Sequence, residues 1–348
     1  MTGLFKTLAT AAGLAAMVAT PILASASELP GNVRMVIGSK STGGDTYQNS
    51  AIIAEALSKK LDINVKVDAV GASEAFKALE RDSRGTTIMI FHDQSYLAHL
   101  YGVRGYDDIF ENFKVGPTVA INPGNAYLVA KNSPLQSMED VIAAAAAGQR
   151  VRVAIQAGGV SEIGFSALKN AVKIQHPGAE ENIVPVNTGS QADKNQLLFD
   201  GQADVINGSV QANEQFTQLP EDDQKAMRFI WLTAREETIA QANPEGMGDT
   251  TRDELLAFTT PNVSVTMDGE KDFTFDKEFF LLFNKDMDPE QIATIDKALT
   301  EIFAAGEIQE TQKASFFIPN FKPSAEATEY LKAKREDYRH IIDAIATN

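Results

Sequence analysis

Apolar residues in the first third of the chain alternate between short runs and one helical stripe. Residues 33–37, 64–68 and 87–91 predict three strands, and residues 74–81 predict a helix. The stripe recurs at the 3.6-residue spacing of an α-helix and consists of Ile52, Ile53, Ala56, Leu57 and Leu61. This β-α-β-α-β order is typical of a parallel sheet covered by helices.

A similar order recurs after Pro134. Ser137 is the expected N-cap of a helix that ends before Gly148. The further segments are strands at 151–155, 183–186, 203–207 and 227–233 and helices at 163–172 and 191–199. The recurrence predicts a second α/β lobe.

The last third begins with a polar stretch, residues 235–275, which predicts a loop excursion. The continuous apolar run at 278–283 predicts a buried strand. Helices are expected from Pro289 and from Ser324. We therefore expect one lobe from residues 27–125 and 236–348, and a second lobe from residues 126–235.

The N-terminus has the pattern of a secretory signal. Lys6 supplies a positive charge, residues 8–23 are largely apolar, and Ala24-Ser25-Ala26 fits a cleavage site. We expect residues 1–26 to be removed near Ala26, with an uncut membrane anchor as the alternative. The chain has no cysteine, so it can form no disulfide and carry no lipidated N-terminal cysteine. The expected location is the periplasm, as a free protein.

The net charge of −16 limits the possible partners. So acidic a chain is not expected to bind nucleic acid or an anionic membrane by electrostatics. It also repels anionic ligands at long range. Salt screens that repulsion over about 8 Å, so the local site decides what binds.

Three strands run directly into loops of small and polar residues that precede helices, at 38–46, 156–161 and 187–190. Such loops present unpaired backbone amides at helix N-termini, where the helix dipole favours an anion. Ordinary βα turns are the alternative. Because the loops share the carboxyl ends of strands, we expect one ligand cleft. The candidate ligand-binding residues are Ser39, Ser41, Thr42, Gly43, Gly44, Asp45, Gln156, Gly158, Gly159, Ser161, Thr188 and Gly189.

Other side chains near these loops are less specific. His92 and Gln94 follow a strand end, so both are candidates for the cleft, with a solvated loop histidine as the alternative. Lys40 is either a ligand contact or a solvated lysine. Asp45 is either a ligand contact or a helix cap.

Catalytic and metal motifs are incomplete. Residues 38–41 lack the upstream glycine of a phosphate loop, and residues 159–163 end in isoleucine where a nucleophile elbow has glycine. A secreted hydrolase using Ser161 or Ser41, with His92 as base, stays an alternative. The four histidines show no metal-ligand spacing, so we expect no metal and no cofactor.

The loops and their order resemble those of the substrate-binding proteins of tripartite tricarboxylate transporters, the Bug or TctC-like periplasmic receptors. The resemblance covers about residues 33–342, and its most telling part is Gly-Gln-Ala-Asp-Val at 201–205. Asp204 in that segment is a further candidate for ligand binding. The other matching stretches are 41–45, 154–161, 184–189, 198–200 and 288–289.

The resemblance implies a two-lobed α/β Venus flytrap, the type II-like periplasmic-binding-protein fold. Its sheets are mixed but mostly parallel, and two crossover strands join the lobes around a cleft. It also implies a carboxylate held by backbone amides and ordered water, without a salt bridge. The implied partners are a small carboxylate ligand and the large and small multispanning subunits of a membrane transporter.

Two departures from the family pattern affect the expected pocket. Ile37-Gly38 stand where the family often has Pro-Phe, and residues 187–189 replace a common Tyr-Lys-Gly. The ligand therefore need not be typical of the family. We expect a monomeric binding protein rather than an enzyme, and a sensor that docks on a signalling receptor is a further alternative.

Overall fold

The computed structural model describes residues 29–259 and 273–346. The predicted signal sequence, residues 1–26, lies outside the described residues. The strands are β1 (Asn32–Ile37), β2 (Asn64–Ala69), β3 (Thr87–His92), β4 (Phe113–Asn122), β5 (Ala126–Ala130), β6 (Val151–Ile155), β7 (Ile183–Asn187), β8 (Val205–Gly208), β9 (Met227–Leu232), β10 (Lys277–Asn284) and β11 (Ile318–Lys322).

Helices cover the sheets on both sides. They are α1 (Asp45–Leu61), α2 (Ala72–Glu80), α3 (Gln94–Leu100), α4 (Ile109–Asn112), α5 (Met138–Ala146), α6 (Val160–Gln175), α7 (Gln191–Phe199), α8 (Val210–Thr217), α9 (Glu236–Ile239), α10 (Arg252–Leu256), α11 (Pro289–Ala305), α12 (Glu307–Ala314) and α13 (Ser324–Ala346). Short 3-10 helices span Ala179–Asn182 and Pro244–Met247. None of the helices in the described ranges is long and apolar enough to span a lipid bilayer.

The first sheet has the strand order β11-β4-β10-β3-β1-β2. Strand β1 pairs in parallel with β2 and β3, as the sequence predicts. Strand β10 runs antiparallel between β3 and β4, which makes β4 parallel to β3. The carboxyl ends of β1, β3 and β4 therefore share one edge with the first residue of β10, Lys277, which pairs with Asn122.

The second sheet has the order β7-β6-β8-β5-β9. Strand β6 is parallel to β7 and β8, and β5 is antiparallel to β8 and β9. Ala126, the first residue of β5, pairs with Gly208 at the end of β8 and with Leu232 at the end of β9. The carboxyl ends of β6, β7, β8 and β9 therefore share an edge with the start of β5.

The crossover segments bring these two edges together. Three residues connect Asn122 at the edge of the first sheet to Ala126 at the edge of the second. The amide of Asn125 donates to Thr233 Oγ1 at 2.7 Å, and the amide of Thr233 donates to the Asn125 carbonyl at 3.0 Å. We call the two facing rims the interlobe edge. The loops predicted to bind ligand lie along it.

Gly124 lets the crossovers pass close to each other. Its φ is +56°, and a Cβ there would lie 2.3 Å from the backbone nitrogen of Ala234. Any larger residue would both strain the backbone and push the two crossovers apart. The close pairing of these segments thus depends on glycine.

Apolar clusters connect the layers. One packs the first sheet against α1 and α11 through residues such as Ile53, Phe279 and Leu299. A second cluster extends across both sheets, and α13 packs on β4, α3 and α6. The predicted α/β class with two mixed sheets is confirmed.

The stretch after β9 contains short helices rather than loop alone. Ile239, Met247 and Leu255 are buried in a third cluster, whose other members come from both sheets and include Leu128, Phe229, Ile121 and Ile318. Because this cluster joins the sheets, the assignment of residues from 236 onward to the first lobe stays a prediction. Residues 260–272 of the expected excursion lie outside the described residues.

The sequence pattern did not predict β4. Gly116 and Pro117 lie inside it and resemble turn residues. The structure accommodates them where the β4–β10 register shifts between Phe280 and Leu282, and a proline is tolerated at such a bulge. A Cβ on Gly116 would lie 2.5 Å from the Phe283 ring, so the glycine permits close packing.

Candidate ligand-binding site

Asp45 anchors the first-lobe side of the interlobe edge. It is the first residue of α1, and Gly44 at the N-cap has no side chain to cap the helix. Asp45 Oδ2 accepts a hydrogen bond from Asn122 Nδ2 at 2.5 Å and pairs with Lys277 Nζ. Burial, the largest single effect, would raise the pKa of Asp45, but the charge of Lys277 and the hydrogen bonds from Lys277 and Asn122 together lower it to about 2. Asp45 therefore stays ionised.

His92 lies at the same edge, at the end of β3, and is buried. Its ring lies between those of Phe91 and Phe279, and the amide of Gln94 donates to its Nδ1 at 3.3 Å. Burial and the nearby charge of Lys277 lower the pKa of His92 to about 3. The imidazole is thus neutral at physiological pH. Gln94 is half-buried and donates through Nε2 to Tyr106 at 3.5 Å.

The first predicted loop is open to solvent. Ser41, Thr42 and Gly43 are exposed, while Ser39 and Gly44 are half-buried. The Ser39 hydroxyl accepts from the Ser41 amide at 3.0 Å, and the Ser41 hydroxyl accepts from the Gly43 amide at 3.3 Å. A Cβ on Gly43 would meet no atom within 4 Å. The loop leaves room for a ligand, although two of its amides already have partners.

The Lys40 side chain lies against Gly71, just before α2. A Cβ added to Gly71 would lie 2.9 Å from Cγ of Lys40. Glu74 in α2 is close enough for its pKa to be lowered in part by Lys40, after the larger effects of Lys77. Lys40 is exposed.

The second predicted loop is packed more tightly. The amide of Gln156 donates to Ser161 Oγ at 2.8 Å, and the amide of Gly158 donates to the Glu162 carboxylate. Gly158 has a φ of +67°, and a Cβ there would lie 2.1 Å from Val103 Cγ2 of the first lobe. Gly159 is the N-cap of α6. This loop therefore forms part of the contact between the lobes.

The third predicted loop lies beside the second. The amide of Thr188 donates to the Ile155 carbonyl at 2.8 Å, so this loop is fixed to the end of β6. Gly189 is exposed, and Ser190 caps α7 by accepting from the Asp193 amide at 3.2 Å. The structure thus brings all three loops to the interlobe edge.

Lys194 and Lys277 are at this edge, and the sequence analysis missed both. Lys194 of α7 and Lys277 of β10 are each 6 % exposed. Lys194 Nζ donates to Asn207 Oδ1 at 3.0 Å, and Asn207 Nδ2 donates to the Ser161 carbonyl at 3.2 Å. Burial, with added repulsion from Lys277, lowers the pKa of Lys194 to about 7 against the attraction of Asp45. Lys194, in α7 beside the second sheet, and Lys277, in the first sheet, are thus both attracted by the carboxylate of Asp45.

A weak sequence signal for Lys194 exists. It precedes Leu198 by four residues, so the two lie on one helix face, and both are buried. Lys277 directly precedes the apolar run of β10. Neither pattern distinguishes a buried lysine from an exposed one, because burial depends on residues outside the helix or strand that carries each lysine.

Solved structures show the same architecture. The periplasmic binding protein BugD aligns with a TM-score of 0.65 over 90% of this chain and 97% of its own, at 16% identity. MatC from Rhodopseudomonas palustris, solved with bound malate, aligns with a TM-score of 0.65 over 89% and 98%, at 14% identity. An R. palustris protein solved with adipate aligns with a TM-score of 0.67 over 90% of this chain and 97% of its own, at 15% identity. The chain has the periplasmic-binding-protein fold.

At these identities the likeness establishes the fold alone, and it confirms the predicted two-lobed periplasmic-binding-protein class. The resemblance noted in the sequence therefore holds at the level of fold. No protein-family model matches the chain, and no curated protein matches it in sequence.

Within this periplasmic-binding-protein fold, Asp204 does not reach the interlobe edge. It precedes β8 and forms a bidentate pair with Arg152 near the start of β6, at 2.7 and 3.0 Å. Those are the amino ends of the strands, on the rim opposite the loops. Asp204 therefore joins strands of the second sheet, and we leave it out of the proposed site.

Ser161, one of the two candidate serines of the hydrolase alternative, hydrogen-bonds within its own loop. Ser161 Oγ accepts from the Gln156 amide and donates to the Gln156 carbonyl at 3.2 Å. A nucleophilic serine needs a base that accepts its proton, and Ser161 donates to a backbone carbonyl instead. This geometry does not favour a hydrolase that uses Ser161.

Proposed function

We propose that this chain is a periplasmic solute-binding protein that captures a small carboxylate-bearing molecule between its lobes. Its fold is shared with proteins solved with malate and with adipate. The observation that carries the proposal is the interlobe edge, where the carboxyl-end loops of both sheets meet around buried charges. Ligands of open α/β sheets bind at such ends of strands.

The proposed lobes follow the sheets. The first consists of residues 27–125 and 236–348, and the second consists of residues 126–235. The paired crossovers at Asn125 and Thr233 form the hinge between them. A ligand that contacts both rims shifts the population toward the closed form, because it binds that form more tightly.

The proposed cellular role is delivery to a secondary transporter of the tripartite tricarboxylate type. The closed monomer presents its surface to the large and small multispanning subunits. The N-terminal export pattern supports a periplasmic location after cleavage near Ala26. A role in catalysis is not part of the proposal.

Isothermal titration with mono-, di- and tricarboxylates tests the ligand class. We expect heat from at least one carboxylate and none from its uncharged amide analogue. Binding of sugars or cations, with no heat from any carboxylate, would contradict the proposal.

A matched pair of glycines tests the position of the site. A Cβ added to Gly43 or to Gly31 would meet no atom within 4 Å, and neither glycine has a positive φ. Gly43 lies in the first loop, whereas Gly31 precedes β1 at the opposite rim. Gly43→Val should reduce carboxylate affinity by about tenfold or more by occupying ligand space, while Gly31→Val leaves it unchanged. Equal affinities for the two variants would remove residues 41–44 from the site.

A further inference from the structure

The charges of the buried cluster formed by Asp45, Lys194 and Lys277 do not balance. Lys277 is compensated by Asp45, with which it forms an ion pair. Lys194 bonds instead to a neutral group, the amide oxygen of Asn207. Among the described residues, the carboxylate that attracts Lys194 is the same Asp45. When Lys194 is protonated, two ammonium groups share one carboxylate, which leaves one positive charge in excess.

Burying an ammonium group without a counter-charge is costly, because it loses hydration and gains no ion pair. Lys194 carries this cost in addition to repulsion from Lys277. Groups perturbed in this way are common where a protein binds or reacts with a ligand. The missing partner has a definite chemistry, since a single carboxylate would make the cluster neutral.

We propose that Lys194 and Lys277 form an anion clamp, in which one carboxylate of the ligand lies between the two ammonium groups and permits the lobes to close. This inference rests on the proposed function. It assigns the carboxylate to two buried charges rather than to loop amides alone, unlike the expectation of a site without a salt bridge. Asn207 holds the ammonium group of Lys194 in place, and Asn122 holds the carboxylate of Asp45.

The two lysines belong to opposite sides of the hinge. Lys194 is in α7 on the second sheet, and Lys277 begins β10 on the first. When the lobes separate, water solvates both charges. When the lobes close empty, like charges approach in a medium of low dielectric, and a bound carboxylate turns that repulsion into two attractions. Closure thereby depends on an anionic ligand.

The deciding experiment compares two lysine-to-methionine variants by titration with malate, adipate and benzoate. Lys194→Met removes the excess charge and keeps much of the side-chain volume. Lys225→Met, in an exposed loop of the same lobe, changes the net charge equally. For whichever carboxylate binds the wild type, we expect an affinity loss of about 30-fold or more in Lys194→Met and less than about twofold in Lys225→Met.

The possible failures are distinguishable. If Lys194→Met binds within threefold of the wild type, the clamp is wrong and the proposed function stands. If the wild type binds none of the carboxylates, both the function and the clamp are wrong. Lys277 is tested in the double variant Asp45→Asn with Lys277→Met, which removes the ion pair as a unit and leaves neither of its partners buried alone. It should also weaken binding, and unchanged affinity would exclude Lys277 from the clamp.

Closure is measured without ligand by the distance between two spin labels. The chain has no cysteine, so Lys66→Cys and Glu221→Cys, both at exposed positions on opposite lobes, give one labelled pair. The Lys194→Met background should increase the closed fraction of the empty protein, because the repulsion is gone. Identical distance distributions in the two backgrounds would overturn the dependence of closure on charge.

The pH profile gives an independent readout. Lys194 faces Lys277 and Asp45, and His92 nearby is neutral. Since the pKa of Lys194 is about 7 in the protein without ligand, carboxylate binding should take up a proton above that pH. Affinity should fall about tenfold per pH unit from pH 8 to 9, and Lys194→Met should show no such slope. A flat wild-type profile would contradict the clamp.

Discussion

Asp45 and Lys277 form a buried ion pair between two segments that are 232 residues apart in the chain. Asp45 begins α1 and Lys277 begins β10, so the pair ties the loop at residues 38–44 to the start of that strand. Asn122 of β4 donates to the same carboxylate oxygen. The charge arrangement of the proposed site is thus built on a contact that also holds the first lobe together.

Removal of one partner of this ion pair should lower the stability of the folded protein. Asp45→Asn leaves Lys277 buried without its counter-charge, so we expect a loss of about 3 kcal/mol in the free energy of unfolding, measured with urea. The control is Asp68→Asn, which breaks the exposed Arg34–Asp68 pair of 2.7 Å. That change should cost less than about 1 kcal/mol. Equal losses would show that the Asp45–Lys277 pair behaves as a surface pair.

Packing between the lobes at Gly158 can be separated from backbone strain. Gly158 and Gly201 have similar φ values, +67° and +63°, but a Cβ added to Gly201 would meet nothing within 4 Å. Gly201→Ala should cost about 1 kcal/mol from backbone strain alone. Gly158→Ala should cost about 1–3 kcal/mol more, because its methyl group collides with Val103. Thermal and urea unfolding give both values.

A double variant checks the cause. Adding Val103→Ala to Gly158→Ala should restore part of the lost stability, because it removes the colliding methyl group. Val103→Ala alone supplies the reference for this cycle. Additive losses would mean that the two residues do not touch.

Glu278 makes stability depend on pH. It accepts from Asn320 at 2.8 Å and Tyr330 at 3.0 Å, and burial raises its pKa to about 7 despite the charge of Lys334. Between pH 4.5 and 7 the folded state holds a proton that the unfolded state releases. This contribution to stability is complete below pH 4.5 and is lost as pH rises through 7.

The measurement compares wild type and Glu278→Gln in urea at several pH values. Glutamine is neutral throughout, so other titrating groups cancel in the difference. The wild type should lose about 1–3 kcal/mol relative to the variant between pH 4.5 and 7.5. The opposite slope would show that Glu278 is held ionised by Lys334.

Asp204 should matter to stability and not to ligand binding. Asp204 forms bidentate bonds with Arg152, and the side chains of the two residues are 28% and 38% exposed, respectively. Asp204→Asn should therefore lower the free energy of unfolding by about 1 kcal/mol or less. Carboxylate affinity should stay within twofold of the wild type. A large affinity loss would return Asp204 to the site.

Local sequence patterns predicted much of the secondary structure. The apolar runs predicted β1, β3, β6, β9 and β10, and the Ser137 cap and the Gly148 stop predicted α5. These signals depend on neighbours in the chain, so periodicity and turn chemistry reveal them. The loops that reach the interlobe edge were predictable because each directly follows a strand.

Only the tertiary structure shows that the two lysines of the proposed site are buried and that residues 113–122 form β4. Lys194 and Lys277 look like ordinary surface lysines in sequence, but each is 6 % exposed in the folded chain, where Lys277 pairs with Asp45 and Lys194 with Asn207. Gly116 and Pro117 look like a turn, and a bulge against β10 makes them part of a strand. The sequence determined which segments fold and where their loops lie. Burial and opposing charge come from residues distant in the chain, so no local pattern could predict them.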